Sequence, residues 1–208
     1  MIQRIEHMRI GEACTILTGY TSRVRLLSAE QGGTLVLQLG DVSTDGQVDP
    51  DRLTRVAFDN LPERYLVSRG DVIFRSRGEP NIAVALDDRF VERAVAVLPL
   101  FVLRPKPEII LPEYLAWVIN QPASQRHFDR VARGTTMRMV PRSGLEILEI
   151  GVPPIETQRR IVAIDALAER ERTLAILAAN RRKALTGKIL YDRAVGTDLD
   201  ALRERKTK

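Results

Sequence analysis

After Pro154 the chain contains no further proline. From Ile155 to about Tyr191 it is rich in Ala, Leu, Ile, Glu and Arg, residues suited to a helix, with Gly187 as the exception. No other feature constrains the fold as strongly, because a helix of that extent is roughly 50 Å long at 1.5 Å per residue. Glu156 stands in its first turn and Lys188 and Arg193 near its end, where the helix dipole favours each charge. Ile164, Leu167, Leu174, Ala178, Leu185 and Ile189 recur at steps near three and four, with Glu171 and Arg181 interrupting the seam. An arm with an apolar stripe needs something to pack on, and another long helix fits best.

Ahead of the double proline, apolar runs alternate with Gly, Asp and Pro punctuation. Thr34 to Leu39 reads as a strand followed by a turn-rich loop containing Asp45-Gly46, and Arg69-Gly70 as a turn feeding a strand from Val72 to Phe74. "IAVAL" and "AVAVLPLFVL" are further strand candidates. Pro99 makes the second an edge strand or a bent one. "PEYLAWVINQP" has apolar residues at helical spacing behind a proline at the first helical position, and "ASQRHFDRVARG" reads as a second short helix. "LEILEI" (Leu145 to Ile150) returns to strand character. The expected fold is α+β: a mixed head over residues 1–152, one long coiled-coil helix over 153–192, and a charged, fraying tail over 193–208. A hydrophobic share of 44% in 208 residues suits one core plus an extension better than two domains.

The charge balance, 32 Lys and Arg against 27 Asp and Glu, favours an anionic partner without identifying one. Cys14 is the only cysteine, so no internal disulfide is possible and a reducing cytoplasm is expected. No apolar run reaches the length of a signal peptide at the start or of a membrane span elsewhere. Several chemistries lack their residues. Base amino-methylation uses an Asn/Asp-Pro-Pro-aromatic loop, and "VPPI" supplies neither the polar residue nor the aromatic one. No Gly-x-Gly loop after a strand or Walker pattern offers a cofactor or nucleotide site. His7 and His127 have no metal-ligand spacing and no neighbouring nucleophile. A non-catalytic protein with no metal or cofactor of its own is expected.

Two segments could hold DNA. Arg75 and Arg77 lie where the chain turns after a strand. Arg130, Arg133, Arg138 and Arg142 surround Gly134-Thr135-Thr136. Arginine offers a planar fork for phosphate or guanine edges, and threonine hydroxyls add phosphate contacts. The candidate DNA-binding set is therefore Arg75, Arg77, Arg133, Thr135, Thr136, Arg138 and Arg142. The stretch from Gly19 to Leu27 is a weaker basic candidate. Solvated loops with arginines paired to nearby carboxylates are the competing reading.

The order of these pieces resembles the specificity subunits of type I restriction-modification systems. "YLVSRGDVIFRSRG" is similar to that family's strand-turn segment, "LPEYLAWVIN" to its helix, and "GTTMRMVPRSGLEILEIGVPPIETQRRIV" to its signature of a polar loop, a double proline and a glutamine before the long helix. Thr157 stands where Glu is usual. The resemblance implies a target-recognition domain that reads half of a split double-stranded DNA site. It further implies a helix that spaces two such domains and docks adenine methyltransferase subunits, which bring the methyl donor; a nuclease-translocase subunit would join them for restriction. Family members carry two heads and two helices, whereas one of each is seen here. A half-subunit pairing as a homodimer in phage defence is therefore expected, with "VPPI" as the hinge between head and arm. The alternative from another class is a non-catalytic coiled-coil scaffold whose head binds protein.

Overall fold

The computed structural model describes residues 5–21, 32–135 and 137–195. Thr136, most of the basic stretch after Gly19 and the tail from position 196 lie outside them. The elements run β1 (Glu6–Arg9), α1 (Ile10–Ala13), β2 (Cys14–Thr18), β3 (Thr34–Leu37), β4 (Thr54–Val56), β5 (Leu66–Val67), β6 (Val72–Arg75), β7 (Ala83–Ala85), β8 (Ala94–Ala96) and β9 (Leu100–Pro105), then α2 (Pro112–Asn120), α3 (Pro122–Val131), α4 (Arg142–Glu146), β10 (Glu149–Val152) and α5 (Ile155–Ala194). This is the expected α+β arrangement, a sheet-rich head followed by one long helix. The chain forms two compact units, the first through Val162 and the second from Ala163 onward.

In the first unit, an antiparallel sheet has the order β2-β9-β6-β7, and its inner strands β9 and β6 are buried on both faces. Side chains alternate along a strand, so Val72 and Phe74 of β6 and Phe101 and Leu103 of β9 enter one core with α2, α3 and α4. Ile73, Leu100 and Val102 enter a second core, shared with the mixed sheet β4-β3-β8-β5. Burial on both faces explains why "VIF" and "LFVL" read as continuous apolar runs rather than alternating ones. Asp71 fixes the entry to β6: its carboxylate accepts from the Ser68 amide at 3.0 Å and from Arg104 Nε at 3.3 Å. Burial nevertheless holds its pKa above the ordinary carboxylate value.

Two readings of the sequence need correction. "AVAVLPLFVL" is neither one bent strand nor an edge. It divides at Val97–Pro99 into β8 and β9, each an inner strand of a different sheet. "LEILEI" is only partly strand: Leu145 and Glu146 close α4, and the strand comes later as β10. Leu145 is fully buried from its helical position, and the Arg142–Glu146 ion pair spans i to i+4. β10 pairs with β1, Glu6 opposite Val152, a partner that local pattern does not reveal. Finally, the expected long helix is present and runs a little further than Tyr191, to Ala194, so that its 40 residues give about 60 Å of rise.

The first two turns of α5 belong to the first unit. Gln158 is fully buried there. Its Oε1 accepts from the Leu111 amide at 2.9 Å, and its Nε2 donates to Ile109 O at 2.9 Å and Pro153 O at 2.8 Å. One side chain therefore joins the double proline, the segment leading into α2 and the start of α5. Ile161 and Val162 pack half-buried on the same core. In the second unit every residue from Ala163 to Tyr191 is exposed.

Candidate nucleic-acid interface

Two basic segments more than fifty residues apart meet at Met139. After β6 the chain turns at Ser76–Gly78, and Asn81 holds the turn by donating to Arg75 O at 3.2 Å and Ser76 O at 3.0 Å. Ser76 O accepts from the Val140 amide at 2.9 Å. Met139 forms β-bridges to both Arg77 and Arg133, exchanging two 2.9 Å backbone bonds with Arg133. The paired Arg133 and Met139 thus close the ends of the segment between them. Gly134, at φ +100°, is required in it, because a Cβ there would stand 2.8 Å from Met137 O.

The candidate arginines differ in what they are free to do. Arg75 is half-buried and spends its guanidinium on Val42 O and Arg77 O, both at 3.3 Å. Arg138 braces the loop, reaching Glu79 at 3.2 Å and the carboxylate and carbonyl of Asp129. Arg142 pairs with Glu146 at 2.6 Å. Arg77 and Arg133 form no ion pair among the described residues, and Arg77 Nε is buried with no hydrogen-bond partner there. A buried donor without an acceptor costs about 1–3 kcal/mol and calls for an explanation. Thr135 is exposed on the loop; Thr136 lies outside the described residues.

Sequence reasoning missed Arg126, and it placed Arg130 in the basic segment but left it out of the candidate set. Both are exposed on α3, one helical turn apart, with no ion pair among the described residues. Met137, 64% exposed between Thr135 and Arg138, was missed as well, because an isolated methionine carries no signal of its own. By contrast, Arg55, Arg69, Arg89 and Arg93 on or beside the mixed sheet all have carboxylate partners. Arg9, Arg52 and Arg64 also form no ion pair among the described residues, Arg64 lying over the Tyr65 ring, so Arg77, Arg126, Arg130 and Arg133 are set apart by their place on the turn after β6, on α3 and at the Met139 bridge. His127 is structural here: its Nε2 lies 2.8 Å from Gly144 O, tying α3 to α4.

Among the described residues, no group of three or more His, Cys, Asp or Glu side chains is placed to hold a metal ion, and no helix is long and apolar enough to cross a membrane. In the second unit Ile164, Leu167, Leu174, Leu185 and Ile189 are each at least half exposed, and Ala178 is exposed too.

The fold of this chain, three sheets followed by a long helix, is shared with solved specificity subunits of type I restriction-modification systems. The HsdS subunit from Thermoanaerobacter tengcongensis matches with a TM-score of 0.62 and 22% identity, over 86% of this chain and 46% of that one. A chain of a type I R-M system, solved in work on its complex assembly and conformational transition, matches with a TM-score of 0.61 and 21% identity over 82% and 40%. The type I restriction-modification S subunit from M. genitalium gives 0.56 and 16% over 88% and 44%. The chain thus spans less than half the length of each of these subunits. No protein-family model matches it, and no curated protein does.

Proposed function

We propose that the chain is a DNA-specificity subunit of the type I restriction-modification kind, whose head reads one half-site of double-stranded DNA. The observation that carries this reading is Arg77. Its guanidinium has a buried, unsatisfied Nε at the junction where the loop through Thr135 closes, beside the unneutralised Arg133. A phosphate or base-edge oxygen at this junction neutralises both cations. Arg126 and Arg130 extend the positive surface along α3. Arg75, Arg138 and Arg142, already bonded to the protein, shape the loop. Met137 offers an apolar contact of the kind that distinguishes a thymine methyl.

The chain contributes recognition and no bond-making step. Adenine methyltransferase subunits bring the methyl donor, and a nuclease-translocase subunit adds restriction where one is present. The exposed seam of α5 pairs the chain with a second copy, and the opposite face of the helix is left for these partners. The fold shared with solved specificity subunits and the self-contained seam both support this reading.

A salt titration of binding tests it. Each phosphate contact contributes about 0.9 to the slope of log affinity against log salt, so four free arginines give a slope near 3.6 per head. Replacing Arg77 and Arg133 with alanine flattens that slope by about 1.8. Binding that ignores salt, or a slope unchanged by both replacements, overturns the reading and favours the protein-binding scaffold.

A further inference from the structure

The exposed seam of α5 contains charges that form no ion pair among the described residues, Glu171 and Arg181 among them. Glu171 and Arg181 are exposed, and neither forms an ion pair among the described residues, although Glu156 with Arg159 and Glu169 with Arg172 do so on the same helix. Ten residues of helix separate them by about 15 Å, too far to pair within one chain. In heptad terms Ile164, Glu171, Ala178 and Leu185 occupy one core position, and Leu167, Leu174, Arg181 and Lys188 the other.

We propose that a second copy of this chain packs antiparallel on this seam, in the register that sets Glu171 of each copy against Arg181 of the other. The two-fold axis then passes at the level of Ile176. This rests on the homodimer reading above and deepens it by fixing which residues meet. The same register sets Leu167 against Leu185 and Leu174 against Ala178, and Leu177 meets its own copy beside the axis. Ile164 packs on the aliphatic stem of Lys188, whose ammonium reaches solvent.

The competing arrangements are worse. A parallel, in-register pair sets Glu171 on Glu171 and Arg181 on Arg181. An antiparallel pair displaced by one heptad brings Glu171 to Lys188, but it sets Leu167 on Asp192 and Arg181 on Ala178. Opposite charges inside an apolar seam stabilise only the register in which they meet, and are costly in every other.

Sedimentation of the full chain tests the register, using the wild type, Glu171→Arg, Arg181→Glu, the double variant Glu171→Arg/Arg181→Glu, and Glu171→Arg/Lys188→Glu. Each single reversal weakens the dimer about tenfold or more. Combining Glu171→Arg with Arg181→Glu restores it, and this restoration also shows that neither substitution acts by unfolding the helix. A wild type that is monomeric at micromolar concentration overturns the homodimer reading and the register with it. If the wild type is dimeric, neutral single reversals, or rescue by Lys188→Glu in place of Arg181→Glu, overturn the register alone.

Discussion

Replacing Gln158 with leucine tests how the root of α5 is held. The substitution conserves volume and removes three hydrogen bonds at once, those to Leu111 N, Ile109 O and Pro153 O. The amide orientation follows from its neighbours, because two carbonyl oxygens face Nε2 and one N–H faces Oε1. Three orphaned groups at about 1 kcal/mol each give a loss of about 3 kcal/mol. The low end of the range applies because Ile109 and Leu111 are only half-buried and water reaches them. For a unit of this size that loss lowers Tm by about 6–12 °C. Gln158→Glu sharpens the test. Its carboxylate must face the two carbonyl oxygens, so its folded pKa is raised. The penalty is therefore full at pH 7 and fades as pH falls through that raised value toward the unfolded one of about 4.3. Chemical denaturation of both variants at pH 7 and pH 4.5 measures this. A Gln158→Leu loss below about 0.5 kcal/mol, or a Gln158→Glu deficit that does not shrink on acidification, refutes the reasoning.

Burial pushes the Cys14 thiol up from 9.0 to about 12, with Lys106 opposing. The unfolded chain therefore loses this proton first, and stability falls as pH rises above 9.0, by about 1.4 kcal/mol at pH 10. Denaturation midpoints at pH 8 and pH 10 check this, because the wild-type advantage over Cys14→Ala shrinks by that amount. Asp at both Leu174 and Leu185 abolishes the dimer, read by sedimentation, while the helix and sheet signals of the head persist. Pure protein incubated with DNA and a labelled methyl donor is expected to incorporate no methyl group; incorporation without a partner contradicts the proposed role in recognition alone.

The long helix was legible because its residues act locally: no proline, good helix formers and charges suited to each end. Gly187 was tolerated because its cost of about 1 kcal/mol is small beside the good helix formers on either side of it. The helix at Pro112 was legible for the same reason. Pairings between distant segments were not. β1 and β10 lie at opposite ends of the head, and neither Glu6–Arg9 nor Glu149–Val152 alone indicates a partner. "AVAVLPLFVL" misled because a run buried on both faces looks the same whether it is one strand or two. At the site, the two arginine segments were legible as basic, but their meeting at Met139 depends on tertiary bridges. Sequence also could not separate arginines committed to Glu79, Asp129 and Glu146 from those left free, since that depends on which carboxylates fold nearby.

In the proposed assembly, paired heads read DNA through the surface around Arg77 and Arg133. Two copies related by a two-fold axis present identical heads, so their target is an interrupted inverted repeat, unlike the asymmetric site expected of two different heads. Selection of bound duplexes from a random-sequence pool by the purified protein measures this directly. The expected result is enrichment of two short inverted half-sites separated by unread bases, lost when Arg77 and Arg133 are replaced with alanine. A pool that stays random after selection, or an enriched site without inverted symmetry, contradicts it.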